Sequence, residues 1–379
     1  MMLLLLIALS LWGALLLPPV IYYAWMLKKE KGRLCVQADT NYQPNVSMIV
    51  CTYNEAKVIE RRLENIQELD YPENNLQIIL VDSASNDGTL EKVKGFLAKT
   101  DFRFPITLIS EKERLGKSHA LNVALKQANG EIIATSDADS FWDTDALLKA
   151  VAYFADPSVG AVTGKEKIVN VEKNVHTMGE GFYRTFFYTL RLGESCIHST
   201  ILFQGELALY RKNAFKEFEN RPGYSDDIGT VINLLSNGYR CIFVPEAVFH
   251  DTAPFSLGGR LMLKSRRSEH LISGVFLTLK LKIKRKLPLS WRVVLFNFYL
   301  HVISPLLLIA TLLITGIVYI IDFRTLWFLG FLLILLLLKK PRVIAVSYLT
   351  SNLALIMGLY PVLLKKRSRP WKKVDEMRE

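Results

Sequence analysis

The chain opens on an apolar run. From Met1 to Leu27 no charged residue occurs, and Lys28, Lys29, Lys31 and Arg33 follow at once. A bilayer span needs about 20 apolar residues, and this run supplies them. A secretory leader would have a basic start, a shorter apolar core and a small-residue cleavage site. The run is therefore expected to be an uncleaved anchor, 1–27. Positive charge is retained on the cytoplasmic side, so the N-terminus is expected outside and the next segment inside. Pro18-Pro19 would kink such a helix without forbidding it.

From about residue 45 to 137 the apolar positions switch between two periods. Short runs predict strands at Val46–Cys51, Leu76–Val81, Ile106–Ile109 and Glu131–Thr135. Between them, helical spacing appears at Glu55–Glu68 (Val58, Ile59, Leu63, Ile66), Gly88–Lys99 (Leu90, Val93, Phe96, Leu97) and Lys117–Gln127. Strand–helix alternation predicts an α/β fold, a mostly parallel sheet covered by helices. Its site is expected beyond the carboxyl ends of the strands.

The stretch 138–255 is less regular, and 45–255 is taken as one cytoplasmic domain. Residues 256–290 alternate apolar residues with Lys and Arg, as in Leu279-Lys280-Leu281-Lys282-Ile283-Lys284-Arg285. That pattern fits a basic segment lying on a membrane surface or an ordinary solvated face. Three apolar runs follow, at Val293–Ile321, Leu326–Leu338 and Val343–Leu364, then a basic tail, 365–379. The middle run is too short for a clean span. Region 293–364 is thus expected to cross two or three times. Three crossings would leave Lys365-Lys366-Arg367 outside, against the positive-inside rule.

Composition agrees with a membrane protein: 50% of the residues are hydrophobic and the formal net charge is +11. The charge suits an anionic membrane surface or phosphate-bearing substrates. The basic-aromatic array expected for nucleic acid does not occur, and no nucleic-acid partner is expected. The four cysteines (Cys35, Cys51, Cys196, Cys241) form no CxxC pair, which points away from zinc and from a disulfide framework.

Polar clusters at the predicted strand ends carry the chemistry. Asp137-Ala138-Asp139 follows the fourth strand. Two carboxylates one residue apart suit a hard divalent cation such as Mg2+ or Mn2+, which also bridges phosphates. They equally suit a turn before a helix at Asp145. Asp82 ends the second strand, where an acid can accept hydrogen bonds from a base or ribose. Cys51-Thr52-Tyr53-Asn54-Glu55 ends the first and offers an aromatic face and an acid; Asn54 reads as a helix N-cap. Gly116-Lys117 opens a helix in a manner suited to phosphate, while His119 reads as structural. Asp226-Asp227 can supply a general base, and Arg266-Arg267 can clamp phosphate oxygens or face lipid headgroups.

Together these residues resemble the family 2 inverting glycosyltransferases, especially the membrane-embedded branch of hyaluronan, cellulose, chitin and poly-N-acetylglucosamine synthases and ceramide glucosyltransferase. The resemblance covers about 45–275 and rests on Thr52–Glu55, Asp82, Gly116–Asn122, the Asp137/Asp139 pair, and Asp226-Asp227 followed by Asn237-Gly238-Tyr239. It implies a GT-A fold flanked by transmembrane helices. Thr52, Tyr53, Glu55, Asp82, Lys117, Asp137, Arg266 and Arg267 would surround a nucleotide-sugar, with UDP as the expected nucleotide. Asp139, with Asp137, would hold Mg2+ or Mn2+. Ser225-Asp226-Asp227 resembles the acidic motif that ends in the catalytic base, here Asp227, and Asp226, Gly205 and His270 would lie on the acceptor side.

One motif departs from the processive members. Their QxxRW is absent; with Gly274 as the reference, Arg267 stands for Gln, His270 for Arg and Leu271 for Trp. The tryptophan that floors the acceptor site is therefore missing, and a short product is expected. The acceptor is a lipid or a glycan. A processive synthase that translocates its product and a non-catalytic scaffold with a degenerate domain are the alternatives. Membrane lipids are expected partners, and a homo-oligomer would supply further helices.

Overall fold

The computed structural model describes residues 2–32, 34, 36–322, 334, 336–364 and 375–378. Arg33, Cys35, most of the middle apolar run 326–338 and most of the tail 365–379 lie outside the described residues.

The parallel half of the sheet forms where the alternation placed it. Strands β1 (Val46–Thr52), β2 (Leu76–Asp82), β3 (Ile106–Ser110) and β4 (Ile132–Asp137) pair in parallel, with β1 between β2 and β4. Both faces of these strands are apolar because both are covered. Met48, Val50, Ile78 and Leu80 point into one core; Ile49, Ile79 and Val81 point into the other. Helices α2 (Ile59–Gln67) and α3 (Thr89–Lys99) serve the first core, and α4 (Lys117–Leu125) the second.

The register fixes what emerges at the carboxyl edge. Thr52 pairs with Asp82 and Cys51 with Asp137. Three candidate site residues are thereby brought level by backbone pairing alone.

The remaining strands give a mixed arrangement, in the order β3-β2-β1-β4-β7-β6-β8-β5. Here β5 is Phe141–Trp142, β6 Val159–Ile168, β7 Ala208–Arg211 and β8 Arg240–Asp251. β4–β7, β7–β6 and β8–β5 are antiparallel; β6–β8 is parallel. The sheet must curl. Strand β5 begins only four residues after Asp137, a reach of about 14 Å, yet it sits four strands away, about 19 Å in a flat sheet. The curl is tied by Trp142, whose indole N–H donates to the Glu206 carbonyl at 3.0 Å. It brings the ends of β4, β7 and β8 around one hollow.

Helices α5 (Ala146–Val151), α6 (Val175–Ile197), α7 (Asp226–Ser236) and α8 (Leu257–Ile283) complete the domain. α8 is not a strip on a surface over its whole length. Arg260, Lys264, Ser268, Ile272, Val275 and Thr278 are buried, and only its Lys280–Ile283 end carries the expected alternation outward. The segment that sequence read as interfacial thus roofs the domain first, because α7 and the last long helix close over its inner face.

Among the described residues, three stretches are long and apolar enough to cross a membrane: α1 (Met2–Glu30), Trp291–Ile321 and α11 (Lys339–Leu363). The second is two helices, α9 (Trp291–Phe298) and α10 (Ser304–Ile321), joined by a π-helical turn at Tyr299–Ile303. Their outer faces are bare hydrocarbon: Leu6, Leu9, Leu17, Val20 and Ile21 on α1, Leu312, Leu313 and Ile320 on α10, Leu349 and Leu353 on α11. Such faces are stable against lipid and not against water. α1 packs against α6 and α10, and α11 against α8 and α6.

Two polar contacts explain how α1 tolerates its prolines. Pro18 and Pro19 lack the N–H groups that would bond the carbonyls of Ala14 and Leu15. The Tyr299 hydroxyl donates to the Ala14 carbonyl at 2.6 Å and lies 3.1 Å from that of Leu15. Trp12 reaches Thr315 at 3.1 Å. On α11, Ser347 donates to the Gly179 carbonyl at 2.7 Å and Ser351 meets Lys264 at 3.4 Å. Those hydroxyls bind neighbouring helices.

Candidate active site

At the carboxyl edge of β1 and β4 lies a cavity of about 610 Å3, closed on the opposite side by α6 and α8. Of the residues singled out from sequence, Thr52, Tyr53, Glu55, Lys117, Asp137, Asp139, Gly205, Asp226, Asp227, Arg266, Arg267 and His270 all line it. Asp82 does not. It is buried behind Thr52, whose hydroxyl donates to it at 3.2 Å, and it accepts from the Ser85 backbone and hydroxyl at 3.1 and 2.5 Å.

Asn54 is not a helix N-cap. It adopts φ 55°, and α2 begins only at Ile59. Its side chain instead accepts from the Asn86 N–H at 2.9 Å, while Asp87 accepts from the Ala56 N–H at 3.1 Å. Two strand-end loops are thereby laced together, and Glu55 is turned into the cavity. His119 is a surface partner of Glu111 at 2.7 Å, as its structural reading expected. Cys51 and Cys241 are free thiols, and the Cys196 thiol donates to the Gly32 carbonyl at 3.6 Å.

Gly116 stands at φ 100°, a backbone state that side chains disfavour, and hands the chain into α4. Lys117, the first residue of that helix, aims into the cavity. Its ammonium is 2.5 Å from Asp137 Oδ1 and 3.9 Å from Asp226 Oδ2. Burial alone would lower it, but Asp137, Asp226 and Glu206 raise it above its ordinary value. Gly205 lets this group approach: a Cβ there would sit 3.3 Å from Lys117 Nζ.

Asp226 and Asp227 open α7, where the helix N-terminus favours negative charge. Burial pushes the Asp226 carboxyl up to about 6; Lys117 works against that, while Asp227 and Asp137 add to it. Asp227 Oδ1 accepts from the Ile228 N–H at 2.6 Å. Burial lowers His270 and Asp227 opposes that, so the ring is a neutral neighbour of the acid at pH 7. Arg267 pairs with Glu206 at 2.6 Å. Arg266 is lowered by burial and by Arg267 to about 10, and it remains charged.

Asp139 and Glu55 share a cation from far along the chain. Arg378 Nε and Nη2 donate to the two Glu55 oxygens at 2.6 and 2.7 Å, and Nη2 lies 3.1 Å from Asp139 Oδ2. Burial raises Asp139 to about 6 against the pull of Arg378. Among the described residues no cluster of three His, Cys, Asp or Glu is preassembled as a metal cage. The donors at this edge are nonetheless all carboxylate oxygens, and a guanidinium already occupies the gap between Asp139 and Glu55. This donor set fits a hard divalent cation completed by substrate phosphates.

Sequence reasoning missed the opposite wall. Arg184 and Arg191 lie on one face of α6, seven residues apart, Glu206 lies just before β7 and Asp251 ends β8; all four line the cavity. Arg114 was also missed; its guanidinium stacks 3.8 Å from the Tyr53 ring centroid, on the face expected to receive a base.

The family Glycosyl transferase family 2 matches residues 47–218. A mannosyltransferase from Pyrobaculum calidifontis, solved in complex with GDP-Man and Mn2+, superimposes with a TM-score of 0.82 at 32% identity, over 96% of this chain and 100% of that one. This chain belongs to glycosyltransferase family 2. Its fold is GT-A, as the strand-end motifs implied. Among curated relatives, poly-beta-1,6-N-acetyl-D-glucosamine synthase of Staphylococcus epidermidis is 27% identical over 243 residues, 63% of this chain and 58% of that protein. The synthase of Staphylococcus aureus strain COL is 26% identical over 269 residues, 69% and 64% respectively. This glycosyltransferase chain therefore spans less than two thirds of the length of the synthases it matches.

Proposed function

We propose that the chain transfers one sugar, with inversion, from a nucleotide-sugar to a lipid or glycan acceptor at the cytoplasmic face of a membrane. One observation carries the reading: Asp137, Asp139, Lys117 and Asp227, from three separate elements, face one cavity.

In this reading Glu55, Tyr53 and Thr52 hold the nucleotide, with Asp82 fixing the loop behind them. Lys117 and the Arg266/Arg267 pair meet phosphate oxygens. Asp139, with Asp137, holds Mg2+ or Mn2+, which supplies charge neutralisation for the departing diphosphate. Asp227 takes the acceptor hydroxyl proton. The oxygen attacks the anomeric carbon, the bond to phosphate breaks, and the nucleoside diphosphate leaves on the opposite face. A single displacement inverts the configuration.

The tail supports this arrangement. Met377 and Arg378 line the cavity, and Glu376 accepts from the Ser256 N–H and hydroxyl at 3.1 and 2.8 Å. A tail that touches the site lies on its side of the membrane. This supports an even number of crossings after α8, as the charge rule favours. Leu271, where processive synthases carry tryptophan, lines the cavity and offers no stacking floor. That favours a short product.

The test is a donor screen with the full chain in liposomes, GDP-mannose and UDP-N-acetylglucosamine first, followed by mass analysis. Transfer of one or a few sugars, lost with EDTA, is expected. Turnover in EDTA, or a polymer of dozens of sugars, would overturn the corresponding part of the reading.

A further inference from the structure

Arg191 is buried, 7% exposed, yet borders the cavity. Among the described residues it makes one side-chain hydrogen bond, from Nη1 to Gln204 Oε1 at 2.7 Å. Its Nε meets no acceptor, and no carboxylate of the described residues lies within 4.0 Å. Three other cations of this wall are paired. Arg184 pairs with Glu166 at 2.8 Å and Glu180 at 3.2 Å, Lys264 with Glu180 at 3.0 Å, and Arg267 with Glu206. A buried guanidinium is costly unless its charge is matched.

The partner that Arg191 does have is built to aim it. Gln204 donates its amide to Glu166, so its carbonyl is turned to Arg191. A neutral amide holds the guanidinium in place and leaves its charge unspent. The Phe243 ring, 5.9 Å away, is at the limit of a cation–π contact.

We propose that Arg191 is the centre of an oxyanion subsite that takes the phosphate of an anionic lipid acceptor. The inference rests on the transferase reading and adds the acceptor's charge. Two features favour the acceptor over the donor diphosphate as source of the phosphate. Arg191 lies on α6, the helix against which α1 and α11 pack, and not on the β4 end that carries Asp137 and Asp139. Tyr183, Phe187, Leu202 and Phe203 line the same wall, an apolar surface suited to the first carbons of a lipid chain.

The experiment reads binding before turnover. Full-length protein in neutral detergent is titrated with a long-chain alkyl phosphate and with the matching alcohol, and melting is followed. The phosphate should stabilise the wild type, the alcohol should do so far less, and Arg191→Gln should weaken the phosphate effect at least tenfold, with Arg191→Lys recovering part of it. GDP-mannose affinity, measured in parallel, should change less than twofold in Arg191→Gln. A donor affinity that falls instead would assign the phosphate to the donor. Equal stabilisation by phosphate and alcohol, or an alkyl phosphate effect unchanged in Arg191→Gln, would overturn the subsite. Absence of turnover with every donor would sink the transferase reading and leave the binding result to be judged alone.

Discussion

Arg378 and Glu55, 323 positions apart, form a two-pronged ion pair with each side chain only 5% exposed. The same guanidinium touches Asp139. A divalent cation at Asp139 and a guanidinium 3.1 Å from that carboxylate repel each other, so they compete. Arg378→Ala should therefore lower the half-saturating Mn2+ concentration, by roughly three- to tenfold for about one to two kT of relief. The measurement is initial rate against metal at fixed donor. An unchanged or raised requirement would mean that the tail helps to hold the donor.

Asp139 lies in the turn two residues beyond β4, outside the strand pairing. Asp139→Ala should leave the circular dichroism and melting of the protein nearly intact and reduce transfer by at least ~100-fold, the scale of a lost charge-stabilising group. Activity that survives both this change and EDTA would rule out metal assistance.

Asp227→Asn keeps the shape of the residue and removes its basicity. Nucleotide-sugar binding should persist, while transfer falls by about 100- to 10,000-fold. Asp226→Asn should behave differently, because Asp226 lies beside Lys117. Its signature is a higher donor KM. Loss of donor binding in Asp227→Asn would make that residue structural.

Glu194 gives a pH dependence outside the cavity. It is fully buried, accepting from Tyr22, Thr200 and Asn297 at 3.0, 2.7 and 2.9 Å, and burial raises it to about 7 against those three hydrogen bonds. The folded state thus holds this proton more tightly than the unfolded chain, whose carboxyl titrates near the ordinary 4.5. Stability is highest below about 4.5 and declines as pH rises toward 7, by about 3 kcal/mol for this group alone. Thermal melts in detergent between pH 5 and 8 should show the decline, and Glu194→Gln should flatten it. A melting temperature independent of pH in the wild type would refute the assignment.

What could be read in advance divides along the sheet. The parallel half was legible because each strand announces itself by a short apolar run between helical stretches, and its register then delivers Thr52, Asp82 and Asp137 to one edge. The far wall was not. Arg184 and Arg191 sit in an ordinary amphipathic helix, and nothing local says that β7 and β8 curl beneath it. Periodicity tells which face of an element is apolar, not which element it meets. Asn54 failed for a related reason: an Asn at a strand end serves a helix start or a left-handed turn equally well in sequence. Arg378 was invisible because its partner is 323 residues away.

The hydroxyl of Tyr299 makes α1 more than a leash. Proline pairs normally leave a helix with two idle carbonyls, and here another span reaches over to cover them. The first span is thus keyed to the second as a mortise is to its tenon. A foreign apolar leader spliced in its place would still bring the protein to the bilayer. It would leave Tyr299 with no carbonyl to grip, and α6, which rests on α1 and walls the cavity, would lose its footing.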